Sequence, residues 1–199
     1  MVGEQKISAT AIISMHSKLG AGVRVWDYSQ IREDATVGDN SIIGRSVYIG
    51  PGVKIGSNCK IQNNALIYEP ALIENGVFIG PAVVLTNDQY PRAVNPDGTL
   101  KNSSDWSQVG VIVKEGASIG AQSVCIAPVV IGKWALVAAG STVVREVPDF
   151  ALVAGTPAKQ IGWVGKSGHR LQKINDHQYQ CPVTLEMYFL SKPGYLEAN

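Results

Sequence analysis

Three polar residues, Glu69, Asn87 and Asp88, are this chain's best candidates for chemistry. Glu69 precedes Asn87 by 18 residues, and Asp88 opens a segment that also carries Tyr90, Arg92 and Trp106. A carboxylate stacked beside an amide at the mouth of an aromatic-bearing loop can hold an amine, because both offer acceptor oxygens. Uncompensated burial of that carboxylate would be costly. The same residue types form Asx-turns at chain corners, so type and spacing alone leave the two readings even. A second stretch combines Ala138-Ala139-Gly140-Ser141-Thr142 with Ala154-Gly155-Thr156-Pro157-Ala158-Lys159. Small residues there leave backbone polar groups open to a slender ligand, and Lys159 could meet a phosphate. Taken alone, ordinary corners followed by a helix cap explain that stretch better.

Other chemistries find less support. His16, His169 and His177 are the only histidines, one early and two in the tail. None is placed to act as a base at the loop, and the three do not read as a zinc site. Three cysteines cannot build a disulfide framework. Cys59 and Cys125 fall on inward positions of the repeat described below, and Cys181 has no second cysteine or paired histidine near it, so no metal is expected. Gly165-Lys166-Ser167 resembles the end of a phosphate-binding loop, but Gln160 stands where its first glycine belongs. The net charge of +1 and the absence of a basic stripe argue against a nucleic-acid partner. No apolar run is long enough to cross a bilayer. The start, Met1-Val2-Gly3-Glu4-Gln5-Lys6, lacks the features of a signal peptide. A soluble, reduced, cytoplasmic protein with no membrane partner is the expectation.

What must position the polar residues is a six-residue beat. From Ile7 through Val25, Ile43, Ile61 and Ile79 to Leu85, every sixth residue is aliphatic, with a small or β-branched residue two positions earlier. No helix keeps a six-residue repeat on one face, whereas strand positions separated by two or six point the same way. The beat stops at Leu85 and restarts out of phase at Val113, continuing through Ile119, Cys125, Ile131, Val137 and Val143. This is a hexapeptide-repeat parallel β-helix, in which three hexads make one triangular coil of about 18 residues. Glu69 and Asn87 then lie one above the other on one edge of the prism. Glycine follows the inward aliphatic at Gly20, Gly38, Gly44, Gly50, Gly56, Gly80, Gly120 and Gly132. It is expected there to supply the positive φ that each corner needs.

Residues 1–150 are therefore expected to form the β-helix, interrupted by an inserted loop at about 86–112, and residues 151–199 a capping helix and tail. The loop's Asn95-Pro96-Asp97-Gly98 predicts a turn, and its aromatic residues argue for order. Thr156 and Pro157 read as the N-cap and first position of a short capping element, helix or strand. Tyr179 to Leu190 reads as a strand or hairpin arm.

Three segments carry a family resemblance: Lys60-Ile61-Gln62-Asn63-Asn64, then Leu85-Thr86-Asn87-Asp88-Gln89-Tyr90-Pro91-Arg92-Ala93, and the ending from Leu152 through Gly155-Thr156-Pro157-Ala158-Lys159 to Trp163. Together they resemble the nucleotide-sugar 3-N-acetyltransferases of the left-handed β-helix superfamily, over nearly the whole chain through residue 170. The resemblance implies a left-handed coil and acetyl-CoA as co-substrate without a metal. It also implies a homotrimer with each site in a cleft between two subunits, and a role in bacterial surface-glycan synthesis. The acceptor would be a 3-amino hexose linked to UDP or dTDP: a dTDP-3-amino-3,6-dideoxyhexose or UDP-2-acetamido-3-amino-2,3-dideoxyglucuronate. CoA would run past Ala139, Gly140 and Ser141 toward Lys159, while Tyr90, Arg92 and Trp106 would bind the acceptor. Asp27 and Gln30 stand where relatives acting on the glucuronate tend to carry histidine, a departure that bears on the sugar's C6 group.

Members of this subgroup lack the usual catalytic histidine, and the nucleophile makes that reasonable. A sugar amine with a pKa near ~8, like an α-amino group, is partly neutral at pH 7. Asn87, assisted by Glu69 and Asp88, is expected to hydrogen-bond the C3 amine and aim it at the thioester. The alternatives are O-acetylation of a sugar, which would need a general base, and a non-catalytic β-helix scaffold.

Overall fold

Two-residue strands recur at every hexad, each turning one side chain into the prism and its predecessor outward, as in Lys54–Ile55 and Leu66–Ile67. The computed structural model of the protein describes residues 3–192 and 194–198. Met1, Val2, Pro193 and Asn199, at the expected start and within the expected tail, lie outside the described residues. Successive strands fall on three faces in rotation. The first face runs from Lys6–Ile7 to Ala151–Gly155 and ends with Ala158–Trp163, the second from Ile12–Ile13 to Thr142–Val143, and the third from Lys18–Leu19 to Val129–Ile131. All pairings within the coils are parallel. Ile43 lies against Ile61 and Ile61 against Ile79, a register of 18 residues. Across the inserted loop Ile73 pairs with Val113, after which the 18-residue register resumes. The architecture fits the left-handed parallel β-helix.

The inward column is aliphatic at every sixth residue, with buried Ser29, Ser41, Ser123 and Ser141 among the small residues two positions earlier. Ile43, Ile49, Ile61, Ile67, Ile73 and Ile79 are all fully buried. Each such side chain contributes roughly 1.5–3 kcal/mol relative to exposure. Cys59 and Cys125 sit in this column as expected, and burial pushes the Cys125 thiol up to about 12.

Two expectations are corrected. The glycines that follow the inward aliphatic do not carry positive φ. That conformation falls two residues later, at Tyr28, Asp34, Asn40, Ser46, Gly52 and their equivalents, where Asn and Asp tolerate it. The post-aliphatic glycines instead permit coils to touch. A Cβ at Gly38 would lie 2.6 Å from the Gly56 carbonyl carbon, and one at Gly80 2.6 Å from the Ala121 nitrogen.

The second correction concerns the cap. Residues 155–159 form no helix. Ala151–Gly155 extends the first face by pairing with Leu136–Val137 and then turns back as an antiparallel hairpin with Ala158–Trp163. An open parallel edge has unpaired backbone groups, and a strand satisfies them where a helix would not. Tertiary pairing thus overrides the local helix signal. Beyond the hairpin, Gln172–Lys173, Gln178–Gln180, Met187–Lys192 and Tyr195–Ala198 form a four-stranded antiparallel sheet. It packs on the coil end through Phe150 against Tyr188, ring centroids 5.4 Å apart, and Trp163 against Tyr179.

The glycine correction can be tested by substitution. Gly38→Ala should cost about 1–3 kcal/mol by overpacking, lowering the denaturation midpoint. Gly52→Asn, at a positive-φ corner with open space around it, should stay within about 0.5 kcal/mol. Equal effects of the two would argue that corner φ, and not coil contact, selects glycine.

Candidate functional site

The edge where the second face passes into the third carries the inserted loop. The register brings Glu69 and Asn87 onto neighbouring coils of this edge, since Leu66 pairs with Val84 and Ile67 with Leu85. Thr86 ties the loop's departure to the coil above, its Oγ1 accepting from Ala127 N at 3.0 Å. The loop returns to the same corner, where Val109 N donates to the Asn87 carbonyl at 3.2 Å. Gly110 fits that return closely, since a Cβ there would stand 3.0 Å from the Pro70 carbonyl oxygen.

Within the loop the order is local. Asp88 Oδ1 accepts from Tyr90 N at 2.8 Å, so the Asx-turn reading of Asp88 holds alongside any functional one. The turn at Asn95–Gly98 forms as expected, with Gly98 at φ 87° and Asp97 Oδ1 accepting from Thr99. Asp105 Oδ2 accepts from Asn102 N and Asn95 Nδ2, bonds that hold its carboxyl below the usual range. Two clefts result. One, of about 480 Å³, is lined by Asp88, Arg92, Leu100, Lys101 and Trp106. The other, of about 370 Å³, takes in Asp88, Tyr90, Lys101, Asp105 and Trp106. Asp88, Lys101 and Trp106 border both. The structure thus gathers Asp88, Tyr90, Arg92 and Trp106 around the loop, although Tyr90 is 76% exposed. Sequence reasoning missed Lys101, which stands in no motif. Only its place within the inserted loop could have drawn attention to it.

Glu69 is the most unusual group on this edge. Its Oε2 is buried and has no hydrogen-bond partner among the described residues. That oxygen lies against Gly50 of the coil below, where any Cβ would collide with it. Leaving a buried acceptor unmet costs about 1–3 kcal/mol, more when it is charged. At the equivalent corners Asp39, Asn63 and Asn75 accept from Ala21 N, Arg45 N and Ser57 N, whereas Glu69 faces Gly50 followed by Pro51, which has no N–H to give.

The other predicted residues lie elsewhere. Ala139 and Gly140 occupy the edge between the first and second faces, with Gly140 exposed, at φ 71° and open space where a side chain would stand. Ser141 is buried. Its N–H donates to Ser123 Oγ, its carbonyl accepts from Val124 N and its hydroxyl accepts from Gly155 N. The terminal hairpin bends over this corner, and Lys159 is exposed on it, paired with Ala154. In one protomer this group and the loop group stand on different edges, with the second face between them. Asp27, near the other end of the stack, is held by the hydroxyls of Ser8 and Thr10, which keep its carboxyl below the usual range.

The sequence matches the bacterial transferase hexapeptide family (six repeats) over residues 16–51, 34–69 and 52–87, and the hexapeptide repeat of succinyl-transferase over 110–145. The chain belongs to the hexapeptide-repeat transferase family. Among curated relatives it is 50% identical over 70 residues to the dTDP-3-amino-3,6-dideoxy-α-D-galactopyranose 3-N-acetyltransferase of Aneurinibacillus thermoaerophilus, covering 35% of this chain and 36% of that one. It is 35% identical over 85 residues to the serine acetyltransferase of Haemophilus influenzae, covering 42% of this chain and 31% of that one. The chain thus spans about a third of the length of these relatives. Among solved structures, a UDP-N-acetylglucosamine acyltransferase from Bacteroides fragilis superposes with a TM-score of 0.66 at 19% identity, covering 81% of this chain and 62% of that one. A hexapeptide-repeat acetyltransferase from Vibrio cholerae, complexed with acetyl coenzyme A, gives 0.52 at 23% identity, covering 65% and 70%. Both establish the shared fold.

The isolated Glu69 oxygen generates a prediction about stability. Glu69→Gln should keep or raise the thermal midpoint, by about 2–4 °C for each 1 kcal/mol of relieved desolvation. A fall of several degrees would show that the carboxylate has a structural partner.

Proposed function

We propose that the protein is an acetyl-CoA-dependent N-acetyltransferase acting on the 3-amino group of a nucleotide-linked hexose. The observation that carries this reading is the buried Glu69 Oε2, unpartnered among the described residues, one coil below Asn87 at the root of an ordered loop. A substrate amine would supply the missing donor. Asn87 and Glu69 accept from the amine and turn its lone pair to the thioester carbonyl, with Asp88 assisting from the loop. A backbone N–H polarises that carbonyl. The nitrogen–carbonyl bond forms as the carbon–sulfur bond breaks, and the departing sulfur takes the proton, a thiol having a pKa near ~8.5. The relative from Aneurinibacillus thermoaerophilus, named for this reaction on a dTDP-linked sugar, favours the same acceptor class.

Acetyl-CoA is placed along the other edge, over Ala139 and Gly140 toward Lys159. Ser141 contributes there by holding the corner rather than by reaching the ligand. Bringing the two edges together takes a second copy of the chain. The second face, whose outward residues Tyr48, Leu66, Val84, Val124 and Thr142 carry no charge, is the surface on which a homotrimer would close. With that face toward the threefold axis, the loop edge of one subunit meets the Ala139–Gly140 edge of the next. The acceptor is a dTDP-3-amino-3,6-dideoxyhexose or its UDP-linked glucuronate counterpart, used in building a bacterial surface glycan in the cytoplasm.

Thiol release with acetyl-CoA and each nucleotide sugar, read by product mass, tests the activity. Asn87→Ala and Glu69→Ala should each lower kcat/KM by about 10²-fold or more. Near-normal values for both would overturn the assignment. The rate should also rise with pH toward a plateau above about 8, following the neutral amine, with no inflection near the histidine range of about 6.5. A bell centred near pH 6.5 would instead reveal a histidine base.

A further inference from the structure

The two clefts of the loop share Asp88, Lys101 and Trp106 but differ in charge. In the larger, two cations, Arg92 and Lys101, face one carboxylate, Asp88. In the smaller, two carboxylates, Asp88 and Asp105, face one cation, Lys101. The Asp105 carboxyl is already committed to Asn102 N and Asn95 Nδ2, so it stays charged and fixed in place. Trp106, half-buried, lines both clefts and offers an apolar surface between a cationic and an anionic half. An acceptor carrying an oxyanion fits the cationic half.

We propose that Arg92 and Lys101 form the oxyanion-binding half of the acceptor site, with Lys101 a specificity-determining residue. This rests on the acetyl-transfer reading above and deepens it. The ligand chemistry is a phosphate or carboxylate oxygen. The planar guanidinium of Arg92 can grip two such oxygens, and the flexible ammonium of Lys101 serves as a point charge beside it. Arg92 Nη1 also donates to its own neighbour's carbonyl, Pro91 O, at 2.9 Å, which steadies the fork. The oxyanion has two chemical sources in a nucleotide sugar: the diphosphate, or a carboxylate at C6. An uncharged amino sugar leaves the cationic half unused.

The test compares wild type with Lys101→Gln, Lys101→Arg and Arg92→Gln. Steady-state kinetics use a nucleotide-linked 3-amino-3,6-dideoxyhexose, its C6-carboxylate counterpart, and the nucleotide-free methyl glycosides of both. Lys101→Gln and Arg92→Gln should each raise the acceptor KM about tenfold, leave the KM for acetyl-CoA unchanged, and lower kcat little. Lys101→Arg should restore most of the affinity. A penalty that vanishes on the nucleotide-free 6-deoxy glycoside but persists on its nucleotide-linked form assigns the diphosphate. A penalty that follows only the C6 carboxylate assigns that group instead. An unchanged acceptor KM, or an equal penalty on the uncharged glycoside, overturns the proposal. Calorimetry with UDP, dTDP and the methyl 3-amino-3-deoxyglucuronoside needs no turnover, so it judges the anion site separately. About tenfold weaker binding of one of these ligands by Lys101→Gln supports it. Equal affinities, or no measurable binding by wild type, overturn it. Absence of acetyl transfer by wild type would sink the activity, and the anion site would then stand or fall on the binding constants alone.

Discussion

Everything else in this molecule is built on the close approach of successive coils. Parallel strands stack about 4.8 Å apart, and at each turn the backbone of one coil passes against the next. Gly38 and Gly80 sit where even a methyl group would collide with main-chain atoms one coil away. The inward aliphatics add the driving force, and glycine marks corners of closest approach, while Arg32, Gln62, Tyr68 and Glu74 hold the same position at other corners. Once the spacing is set, the vertical alignment of every outward residue is set as well. Each coil then adds the same small increment of buried surface and contacts chiefly its neighbours.

That alignment stacks chosen residues of the repeat above one another. Glu69 and Asn87 share an edge because 18 residues make a coil, and the loop leaves and re-enters at that edge because Asn87 and Val109 close its neck. The stack tolerates a long excursion there, since only the corner is interrupted and the register resumes with Ile73 against Val113. Rigid coils below and above the neck hold the loop's root. The loop itself keeps its shape through short-range bonds around Asp97, Asn102 and Asp105. A rigid scaffold with functional groups on an ordered excursion positions reacting atoms without a large core.

The same regularity fixes which residues share an edge and which do not. Ala139 and Gly140 stand on the edge after the first face, and the loop on the edge after the second. The second face between these edges turns the uncharged residues Tyr48, Leu66, Val84, Val124 and Thr142 outward.

Residue types and their spacing were enough to establish the β-helix, the inward column, the 18-residue alignment of Glu69 with Asn87 and the place of the loop. All of these follow from a periodicity that side-chain type reports directly, because inward positions exclude everything but small and aliphatic groups. Other features emerged only in the folded chain. The glycines at Gly38 and Gly80 proved to serve coil contact, a relation between residues about 18 apart or more that local turn preference does not register. Thr156-Pro157 became the turn of a hairpin rather than a helix start, because the exposed edge of Leu136–Val137 demanded a strand. Lys101 entered the loop clefts through contacts that no motif encodes, whereas Ser141 turned inward as its place two residues before Val143 requires. Periodic burial is written in single residues, whereas edge pairing, close backbone approach and charge neighbourhood are properties of pairs that meet only once the coil has closed.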